Sequence, residues 1–144
     1  MKITVESANI PETEVIIRGD VTGEEITSLL RLLRNKTTGN LVLCKEEEQF
    51  IVNAQDIVYI ETSGSRILVQ TAQDTYESRD KLYELRDQLI PYGFAQINKS
   101  TLVNINCVKS IHAEFSGNYC IRLKARPETL IVSRKYFKEF KESI

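Results

Sequence analysis

At Asn40 the apolar pattern of this chain changes period, and no other feature of the sequence limits its fold as much. Upstream, Ile26, Leu29, Leu30 and Leu33 recur at helical spacing, the one-sided stripe of an amphipathic helix running to about Lys36. Downstream, the runs 41–44, 49–53, 57–61, 66–71 and 74–77 are short, rich in branched and aromatic residues, and separated by turn residues. Strands of this length connected by tight turns pair antiparallel. Lys45–Gln49 reads as a solvated hairpin tip and Ser63-Gly64-Ser65 as a second tight turn. The expectation is an α+β fold, mainly antiparallel β.

The flanking segments complete this outline. Lys2–Ala8 and Glu14–Arg18 read as two short strands around Pro11, and Thr22 with Glu25 has the spacing of a capping box. Residues 1–39 are thus expected to form a β-β-α extension packed on a core domain of residues 40–144. Leu29 and Leu33 on its helix either cover the strand core or face a partner. Ser78 is expected to cap a second helix carrying Leu82, Leu85 and Leu89, stopped by Pro91 and Gly93. Strands near 107–113 and 119–124 follow, joined by Ser116-Gly117-Asn118. A last strand, 129–132, leads to Ser133, which is placed to cap a final helix with Phe137, Phe140 and Ile144 inward.

Among 144 residues no apolar run approaches the length of a membrane span, and the first residues lack a signal-peptide core. Cys44, Cys107 and Cys120 are widely spaced, with no CxxC pair to suggest a zinc site or a disulfide framework. A cytoplasmic protein without a cofactor is expected. The net charge of −1 is unevenly distributed. Residues 1–90 hold 10 Lys and Arg against 16 Asp and Glu, whereas residues 91–144 hold 9 against 4. A basic C-terminal third is the asymmetry of a localised polyanion-binding face.

Three polar clusters lie at turns or strand ends, each with hydroxyl or amide groups, one or two cations and no acid. Gln96, Asn98, Lys99, Ser100, Thr101 and Asn104 are interleaved with Phe94, Ile97, Leu102 and Val103, so the stretch is anchored inside and offers donors outside. Ser133-Arg134-Lys135 opens the final helix, where free N–H groups and the dipole favour an anion. Arg134 opposes that dipole, which suggests that it serves a ligand. Ser65-Arg66 follows a glycine turn. Phosphate contacts and base-edge contacts need fixed donors of this type. Catalysis has little support: the only histidine, His112, is an odd five residues from Cys107, leaving Cys120 across the hairpin as the other thiol for a Cys-dependent enzyme.

The ordered motifs VYIET (58–62), KLYELRDQL (81–89), FAQINKSTLVNINCVKSI (94–111) and LIVSRKYFKEF (130–140) resemble the LytTR family of bacterial DNA-binding domains over about residues 40–144. The resemblance implies small stacked antiparallel sheets with flanking helices, and loops that enter successive major grooves at paired repeats in promoters. Base reading would then fall on Ser65 and Arg66, on Lys99 and on Arg134, with Ser133 and Lys135 alongside. Asn98, Ser100 and Thr101 would hold phosphates or brace the loop, and Asn104 would bond backbone. Family members with a histidine at the hairpin tip, or a His or Arg just before the serine, differ here, where Ser65, Asn98 and Lys99 stand. Their target sequence therefore does not carry over.

Residues 1–39 are too short for the receiver domain that most members carry, so the chain resembles a stand-alone subgroup, some of which are restrained by a membrane protein. The expected function is sequence-specific binding of double-stranded DNA in transcription regulation, as a homodimer or as paired monomers, without catalysis. Its alternative is a regulatory protein–protein module with the same fold and little DNA affinity.

Overall fold

A computed structural model describes the backbone of residues 1–144 and the side chains of all but residues 31 and 34–38. The chain divides into two compact units, Met1–Leu33 and Arg34–Ile144. The division falls inside helix α1 (Glu24–Thr38).

The first unit has no strand. The segments 2–8 and 14–18, expected as strands, are irregular. Their apolar residues Ile3, Val5, Val15 and Ile16 are exposed, and β-favouring residues without a partner ladder leave the backbone to water. The start of α1 is organised by Asp20: the Thr22 amide and hydroxyl both donate to its Oδ1, at 3.1 and 2.7 Å. These bonds hold the Asp20 carboxyl below its usual range. Thr22 was expected to cap the helix, but its hydroxyl turns back to this acid.

The second unit carries ten strands: β1 (Asn40–Lys45), β2 (Glu48–Asn53), β3 (Ile57–Ser63), β4 (Arg66–Thr71), β5 (Thr75–Ser78), β6 (Phe94–Asn98), β7 (Thr101–Asn104), β8 (Val108–Ala113), β9 (Tyr119–Leu123) and β10 (Thr129–Val132). Helix α2 (Leu82–Leu89) separates β5 from β6, and α3 (Arg134–Ser143) ends the chain. Seven strands form one sheet in the order β2-β1-β5-β4-β3-β7-β6; the other three form a second sheet in the order β10-β9-β8. All pairings are antiparallel.

Ser78 closes β5, and its hydroxyl accepts the Asp80 amide, so α2 starts only at Leu82, with Lys81 as its cap. At the other end, Phe140 is buried and Phe137 half-buried, but Ile144, expected inward, is 69% exposed, since the helix stops one residue before it.

The central strands β3 and β7 are buried on both faces. One face meets α2, where Ile57, Ile60, Val69 and Leu102 pack with Leu85, Leu89 and Phe94. The other meets the three-stranded sheet and α3, where Val58, Ala95, Ile97 and Val103 pack with Ile121, Leu130, Val132 and Phe140. This double burial explains why TLVN (101–104) is buried at every position despite two polar residues. The buried Asn104 donates its amide to the Ile57 carbonyl at 3.0 Å and accepts from the Asn106 amide at 3.1 Å, so it bonds backbone as expected.

Candidate nucleic-acid interface

Three two-residue or strand-end connections come together at one end of the strands. Gly64-Ser65 joins β3 to β4, with Ser63 opposite Arg66 and Gly64 in the left-handed region at φ +63°. Lys99-Ser100 joins β6 to β7, with Asn98 opposite Thr101. The Ser100 carbonyl accepts the Thr62 amide at 2.8 Å, so this turn is joined to β3 beside the first. The Ile97 carbonyl accepts the Ser133 amide at 2.9 Å, and the Asn98 side chain donates to the Ile131 carbonyl at 2.8 Å. The end of β10 and the start of α3 are therefore joined to the other side of the same turn. Residues 65–66, 98–100 and 133–135 form a contiguous row.

Within the row the side chains divide into two groups. Asn98 is internally committed: besides its bond to Ile131, its Oδ1 accepts the Ser100 amide at 2.9 Å and hydroxyl at 3.0 Å. In the free chain the Ser100 hydroxyl is engaged by Asn98. Thr101 is buried. The Asn98 bonds brace the loop, one of the two roles expected for these three residues. Gln96 adds a further brace, donating to the Asn98 carbonyl at 3.0 Å.

The second group is exposed: Ser65, Arg66, Lys99, Arg134 and Lys135, with Ser133 half-exposed. Lys99 stands at the turn tip without an ion pair among the described residues. Arg66 forms a bidentate pair with Glu77 on β5, Nε to Oε1 at 2.9 Å and Nη2 to Oε2 at 3.2 Å. Hydrogen bonding to Arg66 holds the Glu77 carboxyl below its usual range and raises the guanidinium in turn. The pair lies in water, with the Arg66 side chain 63% exposed. Ser133 occupies the cap position of α3, but its hydroxyl makes no capping bond, contrary to expectation.

Arg134 is held by a turn that the sequence marked only as a connection. Its amide donates to Asn118 Oδ1 at 3.2 Å, and its Nη2 approaches the Ser116 carbonyl at 3.5 Å. The guanidinium lies on the peptide of Gly117, where a Cβ would stand 2.6 Å from Nη2. One helical turn on, Phe137 stacks on Tyr119 with ring centroids 3.5 Å apart. The pattern Ser-Gly-Asn announces a turn, but its packing against a residue sixteen positions later has no local signature.

A nucleophilic thiol finds no support. Burial pushes the Cys107 thiol up, only partly offset by Lys124, the opposite of what activation needs. His112 pairs with Cys120 in the β8–β9 register, but Cys120 is buried. All three cysteines are free. Among the described residues no group of His, Cys, Asp and Glu has the geometry of a metal site, and no helix is long and apolar enough to cross a membrane.

The model of the LytTr DNA-binding domain matches residues 47–144, about two thirds of the chain, including every residue of the row. The chain belongs to the LytTR family. Among curated relatives, the sensory transduction protein LytT of Bacillus cereus is 33% identical over 102 residues, 71% of this chain and 41% of its own length. The transcriptional regulatory protein YpdB of Escherichia coli is 30% identical over 116 residues, 81% of this chain and 47% of its own. The chain thus spans about half the length of such relatives. An uncharacterized HTH-type transcriptional regulator of Staphylococcus aureus, SAB2242, is 26% identical and aligns over 96% of this chain and 93% of its own length. A solved LytTr DNA-binding domain from Bacillus cereus shares the fold, with a TM-score of 0.68 at 20% identity over 73% of this chain and 95% of that one.

Proposed function

We propose that this LytTR chain is a sequence-specific regulator of transcription that binds double-stranded DNA. Its loops read the major groove at paired direct repeats, with two copies bound side by side because one small module makes too few base contacts for useful specificity. The observation that carries this reading is the row of connections joined edge to edge by backbone hydrogen bonds, with Arg66, Lys99 and Arg134 exposed along it. The β3–β4 and β6–β7 turns are two strand spacings apart, about 10 Å, which a major groove about 12 Å wide admits. Arg66, Lys99 and Arg134 are the base readers, with Ser65, Ser133 and Lys135 beside them. A membrane protein that restrains the regulator is a further element of this proposal.

Fluorescence polarisation on duplexes enriched from a random library, against scrambled duplexes, tests the reading. Wild-type binding should fall steeply with added salt as counterions return to the phosphates. Arg134→Ala should cost about 1–3 kcal/mol on the enriched duplex and blur the preference at one base pair. A flat salt response with no preference for the enriched duplex would rule the proposal out. The second reading, a protein–protein module, draws on the excess of acids in residues 1–90 and on the engagement of Arg66 by Glu77. It predicts that flat result.

A further inference from the structure

We propose that the β8–β9 turn, Glu114–Asn118, is a fourth DNA-facing element, in which Phe115 contacts the methyl edge of a thymine next to the base pair that Arg134 reads. The inference rests on the DNA-binding reading above and extends it to a part of the chain without a cation. Phe115 is the most exposed large apolar residue of the protein, at 113% of its reference area. No described residue covers its ring, although a large aromatic side chain gains more than most from leaving water.

Its position makes this exposure informative. The turn holds Arg134 by three contacts: Asn118 Oδ1 to the Arg134 amide, the Ser116 carbonyl to Nη2, and the Gly117 peptide beneath the guanidinium. Phe115 is two residues from that peptide, so its Cα lies within about 7 Å of it. Bases along one strand are about 3.4 Å apart. A Cα at that distance lets the ring reach base pairs next to the one under Arg134.

The chemistry of the turn selects the contact. Among its residues Glu114 carries the only charge, so phosphate is repelled. The C5-methyl of thymine is the one apolar group on a base edge in the major groove, and Phe is among the side chains that meet it.

The experiment measures polarisation on the enriched duplex with each thymine replaced in turn by deoxyuridine, which lacks only the methyl. Wild type should lose about threefold to fivefold at one or two positions adjacent to the base pair that Arg134→Ala blurs. Phe115→Ala should bind the all-thymine duplex about fivefold to tenfold more weakly, ignore those same uracils and keep the wild-type salt dependence. Phe115→Leu should recover part of the loss. Equal binding by wild type and Phe115→Ala, or an unchanged uracil profile in the variant, overturns the inference while leaving the Arg134 reading intact. Failure of the wild-type chain to prefer the enriched duplex overturns both. Phe115 is fully exposed, so its replacement leaves the fold undisturbed, and an unchanged thermal midpoint checks this.

Discussion

On the proposed reading, DNA and Glu77 compete for Arg66. In the free chain Glu77 holds it by two hydrogen bonds in an exposed pair, which DNA bound as proposed would displace or bind beside. Glu77→Gln removes the competitor's charge and one acid beside the proposed DNA-facing row. It should tighten binding to the enriched duplex several-fold at low salt, and the gain should shrink as salt rises. Binding weakened by this variant would show that Glu77 positions Arg66 for the groove instead of restraining it. Arg134 faces a different constraint, since its partners are a carbonyl, an amide oxygen and a bare glycine peptide, and among the described residues no acid pairs with it. It is held in place without being neutralised.

Among the elements, the β6–β7 hairpin is the keystone of the row, because it is bonded on both sides. Asn98 makes one of those bonds, outward to β10, and two more that close its own turn. Asn98→Ala should therefore lower stability by about 1–3 kcal/mol, measured by urea unfolding. DNA affinity should fall as well at temperatures where the variant is fully folded, because Lys99 loses its fixed turn. A variant as stable as wild type would show that water replaces these bonds at little cost. The expected elements 66–71 and 129–132 match β4 and β10 to the residue, since alternation and flanking turns define them locally. The expected strands at 2–8 and 14–18 share that local composition and fail, because no neighbouring strand completes their hydrogen bonding.

On the scale of the whole molecule, the row depends on the two sheets keeping their relation. A part-buried network clamps them at the connection between β9 and β10. Glu128 accepts from the Tyr59 hydroxyl at 2.9 Å and from Arg126 at 2.8 Å, and Arg126 also donates to the Thr71 carbonyl at 2.7 Å. Burial, with the bond to Glu128, raises the Tyr59 phenol, which stays a neutral donor. Burial also works to raise the Glu128 carboxyl, but its backbone amide, Arg126 and Tyr59 together hold it below the ordinary 4.5. A folded-state value below the unfolded one means that ionised Glu128 stabilises the fold above that range. The contribution is lost as pH falls through the depressed folded value. Urea midpoints should therefore drop between about pH 6 and about pH 3 by more in wild type than in Glu128→Gln. Parallel pH dependence in the two proteins would remove Glu128 from the clamp.

The sequence by itself determined the small antiparallel strands, their turns and the basic character of residues 91–144, because alternation, turn residues and charge are local properties. It also brought Arg66, Lys99 and Arg134 forward, as cations at turns free of acids. Only the tertiary structure decided which of their neighbours point out. Asn98, Ser100 and Thr101 have the same polar chemistry as the exposed residues beside them, yet cross-strand bonds and burial on both faces turn them inward. The placing of Gly117 and Asn118 beneath Arg134, and of Glu77 against Arg66, was likewise decided there. Contacts between residues far apart in sequence depend on strand order and register, and no short stretch of this chain encodes either.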